Sequence, residues 1–280
     1  MRAEILADFP EAQCANIEIN YPKKIEVCID IGILSRLIPV PEDTVRFFVT
    51  SDPMGDYNDT ILKNRNCFSY VLTNFPELLA LPNAGMFVGC GSFVLPDPNI
   101  KKKFAVSMVI TGRSGLPGHA LRHELYRRRD EIRIPFDIYT GAWHGITIDD
   151  SRIKVLTWPD RKDKIRVFDC MFHIAIDSYK RENMISEKLI DPLITKTIPV
   201  YWGCTNLSDY FNPYGIIEVD SVDEIIRETN RLTPEVYYSR EYTINDNYNR
   251  AIKCYRYEDI LRDAIFKVLK TNHYPPFEER

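Results

Sequence analysis

A glutamate and a lysine stand side by side in MISEKLIDPLITKTIPVYWG, residues 184–203, where the pattern predicts the start of a short helix. Ser186 is of the type that caps a helix, which puts Lys188 in the first turn. Backbone N–H groups, the positive end of the helix dipole and an ammonium would then converge on one spot, an arrangement suited to phosphate. The dipole prefers carboxylates in a first turn, so a lysine there is the informative feature. An exposed lysine at a helix start is also ordinary, and helix physics alone leaves Glu187 without a role.

A second candidate is the loop TGRSGLPGHALR, residues 111–122, which follows a strand-like run and leads into a helix carrying Arg122. It holds neither GxxxxGK[ST] nor GxGxxG, which excludes a P-loop and the dinucleotide fingerprint. What remains is a βα loop whose backbone and arginine could receive a diphosphate. On the residues alone, a solvated basic face shared with Arg127, Arg128 and Arg129 is the stronger reading. The third candidate is Asp52 in FFVTSDP, at the carboxyl end of a strand-like run, where ligands gather in open α/β sheets. Its plainer role is that of an Asp-Pro turn initiator. No two aspartates are spaced D-x-D, so a bound diphosphate would have to be neutralised by Lys188 and an arginine. His119, His123, His144, His173 and His273 are read as lacking metal-ligand spacing, and no GxSxG occurs; neither a metal centre nor a serine hydrolase is expected.

These residues need a frame to position them. Strands are predicted over 23–34, 44–51, 68–74, 104–111, 136–141, 169–177 and 197–203, all rich in Val, Ile and Phe. Helices are predicted over 76–81, 119–132, 221–232, capped by Ser221 with Glu224 three residues on, and 257–270. Strands alternating with helices across short turns give an α/β chain with mostly parallel sheets. The proline-bounded run LPDPNIKKK, residues 95–103, reads as a linker after which the pattern restarts, so two lobes are expected.

Composition narrows the class. The 280 residues are 45% hydrophobic and 27% charged with a net charge of −4, an ordinary globular mixture without the basic footprint of a nucleic-acid binder. Seven scattered cysteines, odd in number and never in CxxC spacing, argue against a disulfide framework or zinc site and for a reducing, cytoplasmic compartment. The sequons at Asn58 and Asn206 are then expected to be idle. The start MRAEILADFPEAQ has no apolar core of signal-peptide length and no run of about 18 apolar residues occurs, so no transmembrane segment is expected.

Together these pieces resemble the family-10 glycosyltransferases, the α1,3/4-fucosyltransferases and their bacterial and viral relatives. The likeness is strongest over residues 172–226, FHIAIDSYKRENMISEKLIDPLITKTIPVYWGCTNLSDYFNPYGIIEVDSVDEII. That segment is similar to the family's Phe-Glu-Asn sequence, Thr-Glu-Lys, IPIYWG-type strand and FNP loop. LPGHALR resembles the helix bearing the family's donor-binding arginine, and RFFVTSDP the strand ending in its catalytic glutamate.

The resemblance implies a GT-B fold, two Rossmann-like lobes facing a central cleft. Residues 1–100 would form the acceptor-binding lobe and 101–262 the nucleotide-sugar donor lobe. Residues 263–280 would be a C-terminal helix and tail packing back on the first lobe. It implies an inverting, metal-independent transfer without cofactor, from a nucleotide-sugar donor to a hydroxyl of a glycan or glycoprotein acceptor. Lys188 and Arg122 would hold the diphosphate, Glu187 would contact the sugar or ribose, and Asp52 would be the general base. Asp177, Ser178 and Ser186 would complete the donor site; they stand where the family has Glu, Asn and Thr. Asp52 replaces a glutamate, so the alternative bases are Asp56, Asp59 and Glu77. The compact chain, read as lacking an anchor, is most similar to relatives from bacteria and large DNA viruses of algae. Among these the resemblance points to a xylosyltransferase acting on a fucose-containing glycan, with UDP-xylose as the leading donor and GDP-fucose the next. The competing readings are a non-catalytic relative that binds nucleotide sugars or glycans, and an NTP- or NAD-using α/β enzyme.

Overall fold

The computed structural model describes residues 4–6, 21–30, 36–50, 55–141, 145–157 and 161–271. They form two compact α/β units, one of residues 1–89 with 256–280 and the other of residues 90–255.

The first unit is built on a parallel sheet of β1 (Glu4–Leu6), β2 (Lys24–Ile29), β3 (Thr44–Val49), β4 (Tyr70–Thr73) and β5 (Ala84–Met86), in that order. β3 is buried at all six positions, as a strand covered on both faces must be. Alternate residues serve opposite faces. Val27, Phe47, Val49 and Leu72 meet the helix α9 (Tyr257–Thr271), which contributes Tyr257, Leu261, Ile265, Val268 and Leu269 from one stripe. Cys28, Phe48 and Val71 meet Ile61 of α1 (Asn58–Lys63) and Leu78 of α2 (Pro76–Leu79).

One polar knot interrupts this core. Arg46 Nε donates to Glu26 Oε2 at 2.7 Å, and its Nη1 donates to the carbonyls of Arg36, Ile38 and Cys67. Lys24 Nζ holds the other oxygen of Glu26 at 2.9 Å.

The second unit is built on a sheet of β6 (Lys103–Val109), β7 (Phe136–Gly141), β8 (Ile153–Leu156), β9 (Cys170–Ile176), β10 (Ile198–Trp202) and β11 (Ile217–Glu218). Its order is β11-β10-β9-β6-β7-β8, all parallel. The chain therefore builds outward from β6 in one direction, returns to β9 on the other side of β6, and builds outward again. Its helices are α3 (Pro117–Arg127), α4 (Arg161–Lys164), α5 (Glu187–Leu193), α6 (Val222–Thr229), α7 (Pro234–Ser239) and α8 (Glu241–Ala251). Val106, Met108, Phe172, Ile174, Ile198 and Val200 form the centre of the core with Leu125 of α3 and Ile225 of α6. Ser221 caps α6, accepting from the Glu224 N–H.

Three expectations change. The units divide at Gly89/Cys90 and Tyr255/Arg256, where the sequence reading put boundaries after 100 and 262. The run expected to be a linker is tied into the second unit, because Lys102 Nζ donates to Phe168 O and Thr197 Oγ1. At the other boundary α9 returns as a whole helix, because its apolar stripe starts at Tyr257. Between the strands predicted over 136–141 and 169–177, where no element is predicted, lies β8, an outer strand whose pattern is too short and too exposed to stand out in sequence.

Candidate functional site

In a doubly wound sheet, the carboxyl ends of the two strands where the order reverses diverge into opposite connections and leave a crevice. Here those strands are β6 and β9. β6 leads through residues 110–116 into α3, and β9 ends directly before Asp177 and Ser178. The two sides are stitched together where the Gly118 N–H donates to Ser178 O at 3.0 Å. A Cβ at Gly118 would collide with the Asp177 carbonyl, so glycine is what lets α3 start this close to β9.

Asp177 is fully buried and anchors the floor. Its N–H donates to Trp202 O at 2.8 Å. Its Oδ1 accepts from the Ser186 hydroxyl and its Oδ2 from the Tyr201 hydroxyl at 2.5 Å. Tyr201 in turn accepts from the Cys204 N–H at 2.8 Å, and a Cβ at Gly203 would strike both its hydroxyl and the Asp177 carboxylate. Burial pushes the Asp177 carboxyl above its ordinary value, against the opposing pull of Lys188, Ser186 and Tyr201. It pushes the Tyr201 phenol well up as well, with the charge of Asp177 acting the same way.

Ser186 caps α5, accepting from the Lys188 N–H at 3.2 Å. Lys188 is not a bare cation, because its Nζ lies 2.8 Å from Glu187 Oε1. Burial would raise the Glu187 carboxyl, but Lys188 and Lys164 outweigh it and hold it at about 2. Lys188 is raised in return: burial opposes its charge, and Glu187 and Asp177 overcome that. One turn further along α5, Asp191 is buried beside Lys164, Nζ to Oδ2 2.7 Å, and accepts from Ser92 Oγ and the Phe93 N–H.

Arg122 faces the same charges. It is 8% exposed, so the solvated-face reading fails for it, whereas Arg127 is exposed and Arg128 pairs with Glu131 and Asp223. Its Nε donates to Gly118 O at 3.2 Å, while Nη2 is buried without a hydrogen-bond partner. Burial pulls the guanidinium below its ordinary value, with Asp177 and Glu187 pulling the other way. A donor left empty in so polar a setting is costly unless a ligand completes it.

The structure thus brings Arg122, Glu187, Lys188, Asp177, Ser178 and Ser186 together within one unit. Asp52 lies outside the described residues; β3 ends three residues before it. Of the alternative bases, Asp56 and Asp59 are exposed, and Glu77 accepts from Asn58 Nδ2 at 2.7 Å. Nothing in their sequence context marks Gly118 or Lys164, and His119 is read there only as a histidine without metal-ligand spacing. The Tyr201 ring is buried in the core, and its hydroxyl also fixes Asp177. His119 and His123 are in fact spaced HxxxH, a pattern that the sequence reading missed. They do not act as a pair: His119 is buried, while the His123 ring bonds Arg113 O. Among the described residues no group of three His, Cys, Asp or Glu side chains could hold a metal ion. No helix among them is long and apolar enough to cross a membrane. A cavity of about 360 Å³ lined by Tyr214, Arg240 and Tyr242 precedes β11 and lies at the opposite, amino-terminal end of the strands.

No protein-family model matches the sequence, and a comparison with curated proteins finds no match. Solved structures do match. TarM aligns with a TM-score of 0.61 at 11% identity over 88% of this chain and 54% of its own. The chain therefore spans about half the length of TarM. An α1,3-fucosyltransferase solved with GDP-fucose aligns at 0.51 and 17% identity, over 91% of this chain and 80% of its own. The lipopolysaccharide outer core galactosyltransferase WaaB aligns at 0.54 and 12%, over 87% and 75%. The chain shares the two-unit, Rossmann-like α/β fold of the GT-B glycosyltransferases.

Proposed function

We propose that the protein is a glycosyltransferase whose second unit holds a nucleotide-sugar donor at the β6/β9 crevice. The observation that carries this reading is the buried, unpartnered Nη2 of Arg122 beside Lys188 at the carboxyl ends of the strands. Two cations on separate elements suit a diphosphate, whose leaving oxygens gain charge as the sugar departs. Glu187, kept ionised by Lys188 and Lys164, suits a donor hydroxyl on the ribose or sugar. Asp177 holds the start of α5 against β10, so its work is to position Glu187 and Lys188.

In the transfer, an acceptor hydroxyl oxygen attacks the anomeric carbon, the bond from that carbon to the phosphate oxygen breaks, and the diphosphate leaves with the electron pair. Asp52, assigned by its resemblance to the family's base, takes the hydroxyl proton. The reaction is inverting, and Arg122 and Lys188 do the work that a divalent metal does elsewhere. UDP-xylose is the leading donor and GDP-fucose the next, with a fucose-containing glycan as acceptor; these rest on the sequence resemblance.

A thermal-shift panel of UDP, GDP and their sugars tests the site, since a ligand at ~100 times its Kd adds about 2.7 kcal/mol to native stability. A shift with neither nucleotide overturns the reading. Transfer that persists in Asp52→Ala removes Asp52 as base. Binding without transfer from every donor makes the protein a nucleotide-sugar binder. Turnover that survives EDTA is expected, and strict dependence on Mn²⁺ would contradict the metal-independent step.

A further inference from the structure

His119 lies one turn before Arg122 on the same face of α3, and at 8% exposure it is as buried as the arginine. The Ser114 backbone favours the charged imidazolium, but burial outweighs it and lowers the ring below its ordinary value. Its Nδ1 is buried without a partner. A neutral ring that carries its proton on the other nitrogen presents a bare lone pair at Nδ1. Two adjacent side chains of one helix therefore end in buried, unpartnered nitrogens, Nδ1 of His119 and Nη2 of Arg122.

The charged groups around the ring are Arg122 on its own helix, Arg113 on the preceding loop and Lys188 on α5. Glu187 and Asp177 face Arg122 from the other side. Burial, then the three cations, hold the free ring neutral. A diphosphate reverses both conditions. Its negative charge offsets the cations, and its oxygens repel a lone pair but accept from an N–H.

We propose that His119 is a proton-accepting ligand of the bound diphosphate, its Nδ1 taking a proton from solvent and donating it in a hydrogen bond to a phosphate oxygen beside Arg122. Nucleotide binding is then coupled to the uptake of a proton. This rests on the nucleotide-sugar reading above.

The test is calorimetric titration of UDP and GDP into the wild type and His119→Gln at pH 7.5, in two buffers of different ionisation enthalpy. The wild type is expected to take up about half a proton or more per nucleotide than the variant, and its affinity to fall by up to about tenfold per pH unit as the pH rises. Protonation of the nucleotide's own terminal phosphate cancels in the difference. His119→Gln should still bind, more weakly and with a flatter pH profile, and His119→Asn serves if the glutamine variant does not fold. Equal uptake in wild type and variant, or wild-type affinity that does not fall with pH, overturns the proposal and leaves the nucleotide-sugar reading standing. No binding of either nucleotide by the wild type overturns both.

Discussion

Arg46 in the first unit and Arg122 in the second are both buried, and they are built in opposite ways. Arg46 is 1% exposed, and its guanidinium meets a carboxylate and three carbonyls from its own unit. Arg122 keeps one bond to a carbonyl one turn back and leaves Nη2 empty. The sheets around them differ in the same sense. The first runs β1 to β5 in sequence order with no reversal, and the second reverses between β6 and β9. A buried charge completed by its own chain is a structural element, whereas one left incomplete at a reversal point is a place for a ligand.

The largest test is Arg46→Ala. It leaves Glu26 buried with Lys24 as its close partner, and breaking a buried pair from one side costs about 3–5 kcal/mol. Denaturant unfolding should register that loss. Arg122→Gln should do the reverse. Its unfolding free energy is expected to stay within about 1 kcal/mol of wild type, because an unsatisfied donor is removed with the charge. Its affinity for UDP or GDP should fall by about 1.5–3 kcal/mol, the worth of a hydrogen bond to a charged group. If Arg122→Gln unfolds as readily as Arg46→Ala, the contrast between the two arginines is wrong.

Gly118→Ala comes next. The added methyl meets the Asp177 carbonyl, so α3 and β9 must separate, at about 1–3 kcal/mol for overpacking. Because the same separation moves Arg122 away from α5, nucleotide binding should weaken in step with stability. A fully stable variant that does not bind would mean that Gly118 contacts the ligand and does not merely set the spacing.

Legibility in the sequence follows how local each cause is. β3 and β9 could be read because, Arg46 and His173 apart, their residues are β-branched, aromatic or otherwise apolar, and every position is buried. β8 could not, because Ile153 and Leu156 are its only buried positions. Ser186 was readable as a cap, since a cap lies two residues from the N–H that it serves. The Tyr201 hydroxyl reaches Asp177 across 24 residues and Ser92 reaches Asp191 across 99, so no window of sequence contains either pair. Arg122 looked solvated because its neighbours Arg127 to Arg129 are basic; only helix phase against the sheet separates it from them.

The smallest effect expected concerns acid, and it separates the charge pair on α5 from the anchor beneath it. Glu187 is held at about 2 in the folded protein, against an ordinary 4.5. A depressed carboxyl stabilises the native state above its unfolded value, and that contribution is lost as pH falls from about 4.5 towards 2. Asp177 runs the other way: its carboxyl is raised, so its ionisation opposes folding at neutral pH and the penalty is relieved on acidification. Glu187→Gln should therefore flatten the acid limb of the stability curve between about pH 4.5 and 2, and Asp177→Asn should steepen the net loss of stability as the pH falls. Urea unfolding at a series of pH values reads both differences against wild type. An unchanged acid limb in Glu187→Gln would mean that the Lys188 and Lys164 charges do not hold Glu187 in solution, and the positive face offered to a diphosphate would then lack its counterweight.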